Sequence, residues 1–198
     1  MEERLTRLFH GTLCGWQMAG TGRFNIISDG ILESEGGPGI LWYTRATFAD
    51  FVLYVDWRLS SIENNSGVYV RFPPLGRDDP ERDWQLADRQ GYEVQIDDRG
   101  YDPATKSYNS PLHLTGAIYR LAPALKRASH PVGAWNTFRV EAQGARLSVM
   151  LNGELVSSLN GGRGRSLRGH IGLQAHHSGS RVQFRNISIR EDCLTRGR

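Results

Sequence analysis

Short stretches in which apolar and polar residues alternate recur along the whole chain, and no stretch repeats its apolar positions at helical spacing. The alternation predicts strands over 24–28, 31–35, 51–59, 67–72, 92–97, 137–142, 146–151, 170–176 and 183–190. Turn chemistry separates them. Asp29-Gly30 joins two short strands, and Asn152-Gly153 joins 146–151 to 154–157; both are two-residue hairpin signatures. Two long segments break the rhythm, 73–90 and 99–113, and loops of that length inside a domain usually carry function. Pro123 and Pro131 mark a further loop ahead of Trp135. This many short strands in a chain of this size predict an all-β fold, a two-sheet antiparallel sandwich. With no repeat, low-complexity tract or linker, residues 1–198 read as one domain.

Alternation also sorts side chains onto faces, because successive residues of a strand point to opposite sides of the sheet. Val68 and Val70 lie on one face, while Asn65, Gly67, Tyr69 and Arg71 share the other. Tyr92, Val94 and Ile96 oppose Glu93, Gln95 and Asp97; Ile171, Leu173 and Ala175 oppose Gly172, Gln174 and His176. A solvated strand face is usually Thr, Lys, Glu and Ser. These three rows carry Tyr, Arg, Glu, Gln, Asp and His instead, the side chains that bind and process sugars and other polyols, although a wet outer face fits the pattern too.

Composition narrows the classes. The chain has 198 residues, 39% of them hydrophobic and 23% charged, as in ordinary globular proteins. Twenty-three glycines, five Trp and seven Tyr suit strands and turns. The net charge of +3 is too small, and the arginines too scattered, for a nucleic-acid surface. No apolar run approaches a membrane span, so neither nucleic acid nor membrane is expected as a partner. Residues 1–11 carry two acids beside the first arginine and no apolar stretch; that predicts a cytoplasmic protein, or a periplasmic or secreted one whose leader has been removed. Cys14 and Cys193 form no metal knuckle or CxxC pair, and idle thiols are the simpler reading than a disulfide.

Taken singly, the polar residues stay ambiguous. Glu93 suits a general acid or base, or a surface glutamate. Asp97 and Asp98 end a strand just where turns are built. Arg71 among acids fits a structural ion pair as well as a substrate clamp. Of His176 and His177, parity assigns only His176 to the row. No HExxH, GxSxG, phosphate-loop or dinucleotide fingerprint is present.

Motifs in order add what pattern cannot. They run Leu8-Phe9-His10-Gly11 with Gly15-Trp16, Asp29-Gly30, Asn65-Ser-Gly-Val-Tyr-Val-Arg71, Gly91-Tyr-Glu-Val-Gln-Ile-Asp97, Thr115-Gly-Ala-Ile-Tyr119 and Trp135-Asn136. They end with Asn152-Gly153, Gly169-His-Ile-Gly-Leu-Gln-Ala-His176 and Phe184-Arg-Asn-Ile187. Together they resemble the 3-keto-disaccharide hydrolase family, formerly a domain of unknown function and related to concanavalin A-like lectins and glucanases. His10 replaces the family's usual Asn and Cys14 its frequent Ser, neither in the polar rows. The resemblance implies a jelly roll whose concave sheet holds an oxidised, 3-keto mono- or disaccharide glycoside.

On that face it places Asn65, Tyr69, Arg71, Glu93, Gln95, Gln174 and His176, with Asp97 at the row's end and Trp42, Tyr119 and the two long inserts as walls. The implied chemistry removes the C2 hydrogen, which the C3 ketone acidifies, expels the aglycone from C1 and hydrates the enone. Glu93 and His176 would be the acid–base pair, in either order. Arg71, Gln95 or a divalent cation would stabilise the enediolate. No cofactor is demanded; a metal, if bound, should touch Glu93 or His176 through oxygen and imidazole ligands. Displacement by two carboxylates would need Asp97 as the second. The alternative function is a noncatalytic carbohydrate-binding module, with a scaffold for protein interactions as a more distant one.

Overall fold

The computed structural model describes residues 5–28, 30–76, 79 and 82–191. Two antiparallel sheets face each other across one hydrophobic core. The larger contains β1 (Thr6–Arg7), β3 (Arg23–Ser28), β4 (Ile31–Glu35), β6 (Phe51–Leu59), β9 (Asn136–Gln143), β10 (Arg146–Leu151), β11 (Glu154–Leu159) and β13 (Val182–Glu191). The smaller is built from β2 (Trp16–Gly20), β5 (Gly39–Tyr43), β7 (Ser66–Phe72), β8 (Tyr92–Ile96) and β12 (His170–Ala175), in the order β2-β5-β12-β7-β8. A single short helix, α1 (Trp84–Gln90), interrupts the strands among the described residues. No helix among them is long and apolar enough to cross a membrane.

The alternation drives this arrangement. Phe51, Leu53, Val55, Trp57 and Leu59 of β6 point inward, as do Phe138, Val140 and Ala142 of β9, all fully or nearly fully buried. From the smaller sheet Val68, Val70, Tyr92, Val94, Ile96, Ile171, Leu173 and Ala175 meet them. Each such aliphatic or aromatic side chain contributes roughly 1.5–3 kcal/mol relative to exposure. The Asn152-Gly153 hairpin forms with both residues at positive φ (53° and 85°), the type I′ conformation that matches strand twist. β3 and β4 pair as the Asp29-Gly30 signature predicts, though Asp29 itself lies outside the described residues, as does Cys193. Cys14 is exposed and accepts a hydrogen bond from Arg45 Nη2 (2.7 Å).

Three departures from the alternation matter. The sequence pattern gives no sign of β5, because Ile40, Leu41 and Trp42 form a continuous apolar run buried on both faces. In β13 the inward set changes parity, from Val182 and Phe184 to Ile187 and Ile189; a register shift at 185–188, with Asn186 at φ 52°, absorbs the extra residue. The third departure, at Arg71, falls in the candidate site. The segment 73–90, read as an irregular insert, carries α1, whose Ala87 packs with Leu75 onto Ala19, Ile40, Trp42, Tyr69 and Phe72. Leu75 and α1 thus roof one half of the smaller sheet's outer face and leave the other half open.

Candidate functional site

The open half is a cleft of about 370 Å³, within the range of small-ligand sites. Its floor is the predicted polar row. Tyr69 and Glu93 stand directly opposite each other across β7 and β8, Gln95 lies opposite Gly67, and Gln174 comes from β12. Asn65 precedes β7, and His176 follows β12. Tyr119, Tyr101 and Pro103 from the loops beyond β8, and Trp84 and Asp88 from α1, form the walls together with Arg120.

Two hydrogen-bonded chains organise the floor. Gln174 Nε2 donates to Tyr69 Oη (3.1 Å), which donates to Glu93 Oε2 (2.8 Å). Gln95 Nε2 donates to Asn65 Oδ1 (3.4 Å), and Asn65 Nδ2 to Asp97 Oδ2 (3.3 Å). Gln95 Oε1 and Gln174 Oε1 are buried with no protein partner, so two acceptors are left for the hydroxyl groups of a ligand. Glu93 is buried, and loss of hydration pushes its carboxyl up to about 8; Asp88 adds to this, while the Tyr69 hydrogen bond and Arg120 oppose it. Burial, with Glu93 beside it, raises the Tyr69 phenol well above its ordinary range, so it remains a donor.

His176 behaves in the opposite sense. Burial first, then its neighbours His177 and Arg99, push it down to about 4. Because β12 ends at Ala175, the chain has turned at His176, and the two adjacent histidines touch instead of pointing apart. Their Nδ1 atoms are 2.7 Å apart, so one ring must donate and the other accept.

A model of the 3-keto-alpha-glucoside-1,2-lyase-like domain matches residues 4–190 of the sequence. The chain belongs to this lyase-like family. No curated protein gives a significant match. Among solved structures, the lyase-like domain is similar to a Parabacteroides distasonis protein whose glycosyl hydrolase designation is provisional. That pair has a TM-score of 0.76 and 22% identity, over 95% of this chain and 94% of the other. The carbohydrate-binding module CBM66 from Bacillus subtilis has a TM-score of 0.57 and 15% identity, over 89% and 96%. The VIP36 exoplasmic/lumenal domain, in a form bound to Ca2+ and Man3GlcNAc, has 0.58 and 11%, over 100% and 92%. At these identities the likeness is one of fold.

The lyase-like domain brings Asn65, Tyr69, Glu93, Gln95, Tyr119, Gln174 and His176 to one cleft, and three expected residues fall outside it. Arg71 sits in a bulge of β7 at φ 58°, where the register against β12 shifts. The bulge hands the concave face to Phe72 and turns the guanidinium away, to the carbonyls of Ala49 (Nε, 3.0 Å) and Gly144 (Nη1, 2.8 Å) and over the Phe51 ring. Only 1% of Arg71 is exposed. Asp97, fully buried, accepts from the backbone N–H groups of Arg99 (2.9 Å) and Tyr101 (3.1 Å), so it builds the turn that starts the second insert. Trp42 is sealed beneath the first insert, edge-on to His170 (4.7 Å) and Phe72 (6.5 Å). Trp84 of α1 takes the wall instead. Among the described residues no three His, Cys, Asp or Glu side chains converge to hold a metal ion, so the expected contact of a cation with Glu93 or His176 finds no ligand set.

The pattern missed Trp84, Asp88, Tyr101 and Arg120, which come from segments without periodicity. For the first three the only signal was the length of the two inserts; Arg120 lies outside both.

Two outcomes check these placements. Arg71→Met should lower stability by about 2–4 kcal/mol, since it removes the buried guanidinium's hydrogen bonds to Ala49 and Gly144 and its ion pair with Asp50 (3.4 Å), while the folded fraction keeps its turnover. Urea unfolding and specific activity separate this from a substrate clamp, which would lose turnover at unchanged stability. Gly67 lies beneath the Glu93 side chain: a Cβ there would stand 2.8 Å from Cγ and 2.9 Å from Cδ and closer still to Oε1. Gly67→Ala should therefore fold yet lower kcat by roughly 10- to 100-fold, by displacing the carboxyl. A wild-type kcat in that variant would show that Glu93 needs no fixed position.

Proposed function

We propose that this protein cleaves glycosides already oxidised to a ketone at C3, by elimination across C1–C2 followed by hydration. The observation that carries the reading is the pairing, in one polar cleft, of a carboxyl that keeps its proton to about pH 8 and an imidazole that stays neutral down to about pH 4. Two groups whose surroundings drive their protonation apart are suited to acid and base work in the same reaction.

At neutral pH the resting states are Glu93-COOH and uncharged His176, which casts His176 as the base and Glu93 as the acid. In that role His176 donates its Nδ1–H to His177 and keeps the Nε2 lone pair for the substrate. The base takes the C2 proton, and the C–H electron pair flows toward the C3 carbonyl to give an enediolate. The Arg120 guanidinium, on the cleft wall, offers positive charge to that oxygen in the role expected of Arg71. When the carbonyl reforms, a C1–C2 double bond appears, the C1–O bond breaks and Glu93 protonates the departing oxygen. Water then adds at C1 and a proton returns to C2, so the net result is hydrolysis. Gln95 Oε1 and Gln174 Oε1 would accept from sugar hydroxyls.

The test is incubation with 3-keto-trehalose or a 3-keto-glucoside, following release of the aglycone by NMR. Release is expected. Saturable binding without release would point instead to a carbohydrate-binding module, which the two unpartnered acceptors would also suit.

A further inference from the structure

Glu93 borders a second cavity. This one is about 280 Å³, and it shares Asp88, Glu93, Tyr119 and Arg120 with the cleft while adding Arg89 and Arg165. Three guanidinium groups therefore surround one space, and each is held there by a contact that leaves its charge unneutralised. Arg165 Nη1 donates to the carbonyls of Asp88 (3.0 Å) and Gly91 at the end of α1. Arg89 Nη2 donates to Gln85 Oε1 one turn back (2.6 Å). The Arg120 guanidinium lies 4.8 Å from the centre of the Tyr119 ring. No ion pair among the described residues involves any of the three. The carboxyls lining the cavity are Asp88 and Glu93, and Glu93 is protonated at neutral pH, so the cavity is net positive. Arginine forks match the paired oxygens of carboxylate and phosphate, and a cleft rich in one sign of charge concentrates the other.

We propose that the second cavity is a leaving-group subsite for glycosides whose aglycone carries an oxyanion, a carboxylate or a phosphate. Arg89 and Arg165 hold that group, Arg120 on the shared wall stays with the enediolate of the sugar, and Glu93, on the wall between the two cavities, faces the bond to be broken. This rests on the 3-keto-glycoside reading and names the substrate class within it. The position of Glu93 then explains why the acid borders both spaces: the oxygen it protonates is the one joining the sugar to the aglycone.

Two substrate pairs test the subsite and distinguish the anions. One is a 4-carboxyphenyl 3-keto-glucoside against its 4-carbamoylphenyl counterpart; the other carries glycerol phosphate against glycerol. The carboxamide is the better leaving group of the first pair, so an advantage of the carboxylate cannot come from leaving ability. The charged member of at least one pair should show a kcat/KM higher by about tenfold or more. That ratio should fall toward unity in about 0.5 M salt and in Arg89→Gln and Arg165→Gln. Arg165 also caps α1, so Arg89→Gln, at an exposed helix position, keeps the test open if the other variant unfolds. Equal turnover within both pairs, or ratios untouched by the Arg89 variant and by salt, overturns the subsite alone. No turnover of any of the four substrates overturns the 3-keto reading beneath it, and the subsite falls with it.

Discussion

Glu93→Gln is expected to lower kcat by about 10²- to 10⁴-fold while leaving the fold intact. The amide keeps the shape of the protonated acid and can still accept from Tyr69 Oη, but it has no proton to give the departing oxygen. The same substitution should stabilise the protein at alkaline pH. The folded-state value of Glu93, about 8, lies above its ordinary 4.5 because burial penalises the anion. Between those values the unfolded chain ionises this group and the folded chain does not, so wild-type stability declines as pH rises from about 4.5 to about 8. The glutamine variant lacks that decline. Urea midpoints should coincide most nearly near pH 4 and diverge in its favour toward pH 8, by a few kcal/mol at most. The pH–rate profile separates the roles. With Glu93 as acid, kcat/KM of the wild type falls above about pH 8; with Glu93 as base it would rise there instead, reversing the assignment.

The legibility of this molecule follows from the period of two. Wherever a strand is buried on one face and polar on the other, as in β7, β8 and β12, parity put Tyr69, Glu93, Gln95 and Gln174 on a common face. The structure shows those side chains in one cleft. Parity failed at Arg71 because a bulge adds one residue to β7, and a pattern read one strand at a time cannot see the partner that reveals it. It placed His176 in the cleft, but the two histidines do not point apart as it expects, because the strand stops one residue earlier than the alternation suggests. β5 was invisible for a different reason: α1 covers its outer face, so both faces are apolar and no alternation remains. Asp97 continued the row by parity but belongs to the turn, where its two oxygens satisfy backbone donors. The walls are the part least open to sequence reasoning. Trp84 reaches the cleft from the short α1, and Tyr101 and Arg120 from loops, none of which a periodicity encodes.

The C3 ketone should be obligatory: the same glycoside with a C3 hydroxyl is expected to show no measurable cleavage, whatever its affinity. Without the ketone the C2 hydrogen is far too weakly acidic for an imidazole held below its usual basicity, and no geometry in the cleft supplies the difference. The cleft is equally unsuited to direct displacement. That route needs two carboxylates flanking the anomeric carbon, one ionised as nucleophile or as base for water. Glu93 is held neutral, and Asp97 is enclosed in its own turn and does not line the cleft. Asp88 does line it, but on the wall formed by α1. Elimination also leaves a mark at C2. Reaction in deuterated water should place deuterium there in the 3-keto product, after correction for the slow exchange that a ketone undergoes unaided, and deuterium at C2 of the substrate should slow turnover. Cleavage of the unoxidised glycoside as fast as its 3-keto form, with C2 hydrogen retained, would reject elimination and return Asp88 and Asp97 to consideration as partners of Glu93.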